Sequence, residues 1–338
     1  MTVRINIALQ GGGAHGAFTW GVVDRLLQEE GIEIAAISGT SAGALNGAAV
    51  KAGLIENGRQ GARDNLEWLW DQVAGISDVR MADWMQALMP SPGLVSKSIE
   101  YSWPYTLADA WSRVFSPYSY GPFYQNPLQR IVEKFHYASV CAATGPEFFV
   151  SATQVRTGKI RVFSGEDITP EALLASACLP TIFQAVRIEG EDYWDGGYTG
   201  NPALFPLFTP DLPGDIVVVN INPIERDETP RSARDILNRI NEISFNSSLL
   251  RELRAIHFVQ RLLDEGRVPE GTMKRIRIHM IADDALMNKL SVASKLVPTT
   301  ATLHALFEAG QAAAERFLAD HGGDLGQRSS LDLAAMYN

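Results

Sequence analysis

The segment Gly39-Thr40-Ser41-Ala42-Gly43 constrains this chain more than any other. A β-branched run, Ile32 to Ser38, precedes it, and a small-residue helical run, Ala44 to Ala52, follows it. G-x-S-x-G between a strand and a helix marks a turn so tight that glycine is needed on both sides of the serine. Such a turn pushes the serine hydroxyl out at the carboxyl edge of a sheet. There it stands over the N-terminus of the next helix, whose dipole favours a developing negative charge. The same five residues also fit a simpler role, a small-residue turn that lets a helix pack close to a sheet.

Upstream lies a second glycine feature. Ile5 to Leu9 reads as a short buried strand, Gln10-Gly11-Gly12-Gly13 as a turn, and Ala17 to Glu30 as a helix with Phe18, Val22 and Leu26 on one face. Gly31 suits the end of that helix. The first 53 residues therefore predict β-turn-α-β-turn-α, the start of a doubly wound sheet. Gly11, Gly13 and Gly16 fit the G-x-G-x-x-G fingerprint of a dinucleotide site, with Glu33 as the ribose acid. That fingerprint asks for an acid at the carboxyl end of the second strand, where this chain has Ser38-Gly39-Thr40-Ser41. The other reading is a loop of unshielded N–H groups that holds an oxyanion. Loops after neighbouring strands meet at one sheet edge, which brings Gly12 and Gly13 towards Ser41.

A nucleophilic serine needs a base. Of the histidines that follow Ser41 late in the chain, His257 and His304 fall in helical patterns, His279 in a strand and His321 beside the C-terminal tail. Asp195 is better placed. It ends the Tyr193-Trp194 strand, and Gly196-Gly197 after it leave room for close approach. A carboxylate can act as the base directly when burial raises its pKa. Read alone, Asp195-Gly196-Gly197 also fits a plain turn.

Between these motifs, residues 62–140 differ in texture. They hold Trp68, Trp70, Trp84, Trp103 and Trp111, and prolines interrupt them at 90, 92, 104, 117 and 122. This predicts short helices and loops laid over the sheet. Afterwards the α/β pattern resumes: a hairpin around Arg156-Thr157-Gly158-Lys159, a helix from Pro170 to Cys178, a second hairpin around Glu189-Gly190-Glu191, a buried strand from Asp215 to Ile221, a long helix from about Ser232 to Glu265, a strand from Arg275 to Ile281 and a helix from Ala301 to Leu318. Gly322-Gly323 begins a polar tail expected to be loose. The chain has 29 Lys+Arg against 39 Asp+Glu, a net charge of −10. That balance argues against a nucleic-acid footprint and against a polybasic lipid-docking patch. Cys141 and Cys178 form no CxxC pair, so a disulfide framework and a zinc knuckle are not expected. No apolar run is long enough to span a bilayer. With no signal-peptide pattern at the N-terminus, the expected location is cytoplasmic.

Gly-Gly-Gly-Ala-His-Gly at 11–16, Gly-Thr-Ser-Ala-Gly at 39–43 and Asp-Gly-Gly at 195–197, in this order, resemble the patatin-like phospholipase family. Ala175-Ser176-Ala177-Cys178-Leu179-Pro180 looks like that family's small-residue helix end, and the resemblance covers about Ile5 to Ile221. It implies a three-layer α/β/α fold with a mostly parallel central sheet. Residues 1–321 would form one domain with an aromatic-rich insertion or cap at 66–140, and residues 322–338 the tail. It implies a lipid acyl hydrolase, a phospholipase or esterase, working through a Ser–Asp dyad and an acyl-serine, with no metal or cofactor. Carried over by position, Ser41 is the nucleophile, Asp195 the base, Gly11, Gly12 and Gly13 the oxyanion donors, and Gly39 and Gly43 the glycines of the elbow. The expected partner is a lipid or acyl ester, with a peripheral membrane contact. An acyltransferase or thioesterase on the same acyl-serine is the alternative, and a dinucleotide-binding protein a remote one. The chain has Gln10 where the family often has Asp, and His15 where it often has Arg. His15 is therefore expected to brace the loop or touch a head group. Trp103 and Trp111 are the candidates for acyl-chain binding.

Overall fold

The structure is a computed structural model and describes residues 2–75, 116–119, 124–226, 228–269, 271–290, 294–295 and 298–337. Eight strands form one sheet: β1 (Val3–Leu9), β2 (Ile32–Gly39), β3 (Glu147–Gln154), β4 (Ile160–Ser164), β5 (Val186–Ile188), β6 (Glu191–Asp195), β7 (Asp215–Val219) and β8 (Arg277–Ile281). Their order is β5-β6-β3-β2-β1-β7-β8, with β4 paired to β3 off this path. The five strands β3, β2, β1, β7 and β8 run parallel, and the β3–β4, β3–β6 and β5–β6 pairs are antiparallel.

Alternation along the strands divides the core between the two faces of the sheet. Ile5, Ile7, Leu9, Val217 and Val219 point to one face and pack with α1 (Gly16–Gln28), α2 (Ala42–Ala74) and α5 (Thr300–His321). Ala8, Ala36, Ile216, Val218 and Ile278 point to the other, against Leu249, Leu253 and Ile256 of α4 (Ala233–Asp264). The result is the expected α/β/α sandwich. α3 (Pro170–Ser176) opens with Thr169, whose hydroxyl accepts from Ala172 N at 3.3 Å, and has proline in its first turn.

Two regions differ from expectation. The small-residue helix after the elbow does not stop near residue 52. It bends at Asn57 and Gly58, where φ of Gly58 is 61°, and resumes to Ala74. Leu66, Leu69, Trp70 and Val73 are buried in the main core. An insertion beginning at residue 66 would therefore cut a core helix; aromatic content hid its apolar face. The tail expected to be loose is docked. Gly326 N donates to Asp215 Oδ1 at 2.9 Å, Leu331 N to Ile278 O at 3.2 Å, and the short helix Leu333–Tyr337 packs on α4. Its polar residues satisfy groups at the amino edge of the sheet, which composition alone does not reveal.

Register also places the site. β4 occupies one edge of β3 from Phe149 to Thr153. On the opposite edge β2 pairs as far as Gly39 with Val150, and β6 then takes over, with Asp195 opposite Ala152. Asp195 thus stands just beyond the end of β2, although β6 runs the other way.

Candidate active site

Ser41 sits at the turn between β2 and α2 with φ 55° and ψ −123°. A side-chain residue rarely adopts this conformation, and it persists only where neighbours impose it. They do so here. Thr40 Oγ1 donates to Gly200 O at 2.6 Å, Ser41 N donates to Ser176 Oγ at 2.9 Å, and Ala44 N closes back on Ser41 O at 2.9 Å. The glycine at 43 is forced by space: a Cβ there would lie 2.1 Å from Leu9 O. At Gly39 it would lie 2.5 Å from Gly43 O. The strained serine is 7% exposed, nearly sealed in the sheet edge.

Asp195 has no solvent exposure. Its Oδ1 accepts from Gly197 N at 2.7 Å, its N–H donates to Cys178 O at 2.7 Å, and its carbonyl accepts from Thr153 Oγ1 at 2.8 Å. Burial pushes its carboxyl pKa up to about 7, against the opposing pull of Gly197 N–H and the Ser41 hydroxyl. Ser41 is near enough to contribute that pull, yet Oδ2 has no hydrogen-bond partner of normal geometry among the described residues. The pair is adjacent but not locked. Burial first, and the Asp195 charge second, push the neighbouring Cys178 thiol up to about 12. That thiol stays protonated and donates to Gln184 O.

The glycine loop touches the elbow: a Cβ on Gly11 would lie 2.6 Å from Ser41 Cβ. Its three glycines are not equivalent. Gly11 N donates to Asn201 Oδ1 at 2.7 Å, so its N–H is already committed, contrary to the expectation of three oxyanion donors. Asn201 lies in the loop after β6. No hydrogen bond is found from the Gly12 or Gly13 N–H among the described residues. Gly13 has φ 58°, and a Cβ there would strike Lys295 O at 2.3 Å.

The loop is held by side-chain amides from far along the chain. Gln10 Oε1 accepts from Ile221 N, Asn222 N and Asn222 Nδ2, while its Nε2 donates to Asn246 Oδ1 and Asn201 O. Asn222 Nδ2 also donates to Gly11 O at 2.9 Å. Gln10 thus crosslinks the ends of β1 and β7, using both acceptor and donor atoms. Sequence reasoning missed Asn201, Asn222 and Asn246, and gave Ser176 no contact with the elbow. The clue to Asn222 was polar residues, Asn220 and Asn222, directly after the apolar run Val217-Val218-Val219.

His15 is 2% exposed and lies beside this loop. Its Nε2 and Ser294 Oγ are 2.8 Å apart, and its Nδ1 has no partner among the described residues. Burial, and then the charge of Lys295, hold its pKa well below the usual histidine range. The ring therefore lies buried and uncharged at neutral pH beside the loop. The later histidines belong elsewhere: His279 contacts Asp215, His321 contacts Asp324, and His257 stacks on Tyr337. Trp103 and Trp111 lie outside the described residues. Among the described residues no helix is long and apolar enough to cross a membrane.

A family model described as patatin-like phospholipase matches residues 7–208, more than half of the chain. A search of curated proteins returns no match. Among solved structures, the crystal structure of VipD from Legionella pneumophila is similar, with 14% sequence identity and a TM-score of 0.45 over 95% of this chain and 67% of that one.

Proposed function

Because this chain belongs to the patatin-like phospholipase family, we propose that it hydrolyses carboxylic esters of lipids through Ser41, Asp195 and an acyl-serine intermediate. Asp195 accepts the Ser41 Oγ proton as Oγ bonds to the acyl carbonyl carbon. The carbonyl π pair moves to oxygen, which the Gly12 and Gly13 N–H groups receive. Collapse of this tetrahedral species breaks the bond to the alcohol, and Asp195 gives that oxygen its proton. Asp195 then takes a proton from water, whose oxygen attacks the acyl-serine. The carboxylic acid leaves and the proton returns to Ser41.

The observation that carries this reading is the state of Asp195. It is wholly buried beside a strained serine, one oxygen has no hydrogen-bond partner among the described residues, and burial pushes its pKa up to about 7. Efficient general bases have a pKa near the working pH, and an unpartnered oxygen is available to take a proton. The dinucleotide reading finds no acid at the end of β2, where Gly39 leads into the elbow.

The test is turnover of a short p-nitrophenyl ester and of a diacyl phospholipid by the full chain and by Ser41→Ala. A fluorophosphonate probe should add its mass to Ser41 in the unaltered protein. We expect Ser41→Ala to stay folded, lose turnover and take up no probe. Ester hydrolysis surviving Ser41→Ala would sink the reading.

A further inference from the structure

The glycine loop has a cation at its back that none of these steps uses. Lys295 comes from far downstream, and its backbone carbonyl packs onto Gly13. Its Nζ donates to Asn222 Oδ1 at 2.7 Å. Through its Nδ2 the same amide donates to Gly11 O at 2.9 Å. Gly11 C=O belongs to the peptide group whose N–H is that of Gly12. The contacts therefore form one directed chain: ammonium, asparagine amide, Gly11–Gly12 peptide, Gly12 N–H. Hydrogen bonds in series polarise one another, so a charge at the head strengthens the donor at the end. A positive charge behind an oxyanion site also favours the developing negative charge directly. His15 is neutral and supplies no such charge.

We infer that Lys295 is a positioning residue for this ester hydrolysis, acting through Asn222 to hold and polarise the Gly11–Gly12 peptide so that Gly12 N–H meets the oxyanion. The inference rests on the serine-hydrolase reading of Ser41. Lys295 is faced by His15 at the start of α1, by Glu242 on α4, which pairs with Arg226 and Arg239, and by Arg226 in the loop after β7. Burial lowers its pKa to about 8, with Glu242 raising it and Arg226 lowering it. Above about pH 8 the ammonium loses its proton and the chain of amides loses its head. The turnover number should therefore rise with pH as Asp195 ionises near 7 and fall again beyond about 8.

The experiment measures kcat and KM from pH 5 to 10 on a short, uncharged p-nitrophenyl ester, with Ser41→Ala as the blank. The full chain is compared with Lys295→Met and Lys295→Arg. One oxyanion donor is worth roughly 10²–10³-fold in kcat, so a group acting behind the donor should cost roughly ten-fold. We expect Lys295→Met to lose that much kcat with KM unchanged, and to lose the alkaline fall. Lys295→Arg should keep the rate and move the fall upward, out of range. A purely structural lysine would change stability but leave the shape of the profile alone. Unchanged kcat in Lys295→Met, an alkaline fall that persists in it, or a loss confined to KM overturns the inference. If Lys295→Met does not fold, Lys295→Arg decides: an alkaline fall at its original pH overturns the inference. An unaltered protein that hydrolyses no ester overturns the parent reading and this one together, whereas an active protein insensitive to Lys295 overturns this one alone.

Discussion

Two aspartates at opposite edges of one sheet are equally hidden from solvent, Asp195 at 0% and Asp215 at 1% exposure, yet their chemistry diverges. At the carboxyl edge, Asp195 has one backbone donor on Oδ1 and, among the described residues, no hydrogen-bond partner on Oδ2, and burial wins: its pKa rises to about 7. At the amino edge, burial also raises the pKa of Asp215, but hydrogen bonds from His279, Arg277 and Gly326 N overcome it and bring the value to about 2. Arg277 reaches Asp215 Oδ2 with two nitrogens, at 3.0 and 2.6 Å, and His279 Nε2 lies 3.0 Å from Oδ1. Burial by itself says little about what a carboxylate does. Its partners decide between a carboxylate that stays anionic at neutral pH and one that changes protonation there.

The largest effect should come from Asp195→Asn. The amide cannot accept the serine proton, and general-base loss costs roughly 10²–10⁴-fold in kcat. Its stability should move the other way. The folded pKa of Asp195 lies above the ordinary carboxylate value, so ionising it costs stability as pH rises from about 4 to 7. Asp195→Asn should therefore gain melting temperature relative to the unaltered protein at pH 8, and gain little at pH 4. Equal activity, or a loss of stability at pH 8, would break the contrast on the Asp195 side.

Asp215→Asn should do the reverse. Removing one partner of a buried ion pair costs roughly 3 kcal/mol or more and leaves Arg277 and His279 short of an acceptor. Denaturant unfolding should show that loss, while kcat of the folded fraction stays unchanged. In the unaltered protein the folded pKa of Asp215 lies below its unfolded value. The stability it contributes, about 2 kcal/mol, is present above pH 4 and is lost as pH falls towards 2. An acid unfolding curve that is the same with and without Asp215 would remove it as the anchor of the amino edge.

Smaller effects sharpen the account of the glycine loop. Asn201→Ala leaves the Gly11 N–H without its acceptor, at a cost of about 1–3 kcal/mol for a buried donor. We expect kcat to fall with KM little changed, as a loosened oxyanion loop requires. The smallest loss should follow His15→Asn, because this ring is neutral and sits beside the loop, away from the proton transfer. Equal damage from His15→Asn and Asp195→Asn in the same assay would reverse their roles.

By itself the sequence determined what short-range geometry dictates. A strand-to-helix turn that brings backbone within 2.1 Å of a Cβ position tolerates only glycine, so the elbow at 39–43 announces itself. The short buried strands and the long helix from about Ser232 to Glu265 were legible for the same reason: their patterns are local. Where local cues were overlaid, reading failed. Aromatic residues disguised the buried second half of α2, and a polar composition disguised the docked tail. The difference between Asp195 and Asp215 could not be read at all. Their flanking residues say nothing of which amides and cations arrive from residues 277, 279 and 326, nor of the commitment of Gly11 N–H to Asn201. Protonation and donor availability are set by desolvation and by partners brought in through space, and only the folded chain brings those partners together.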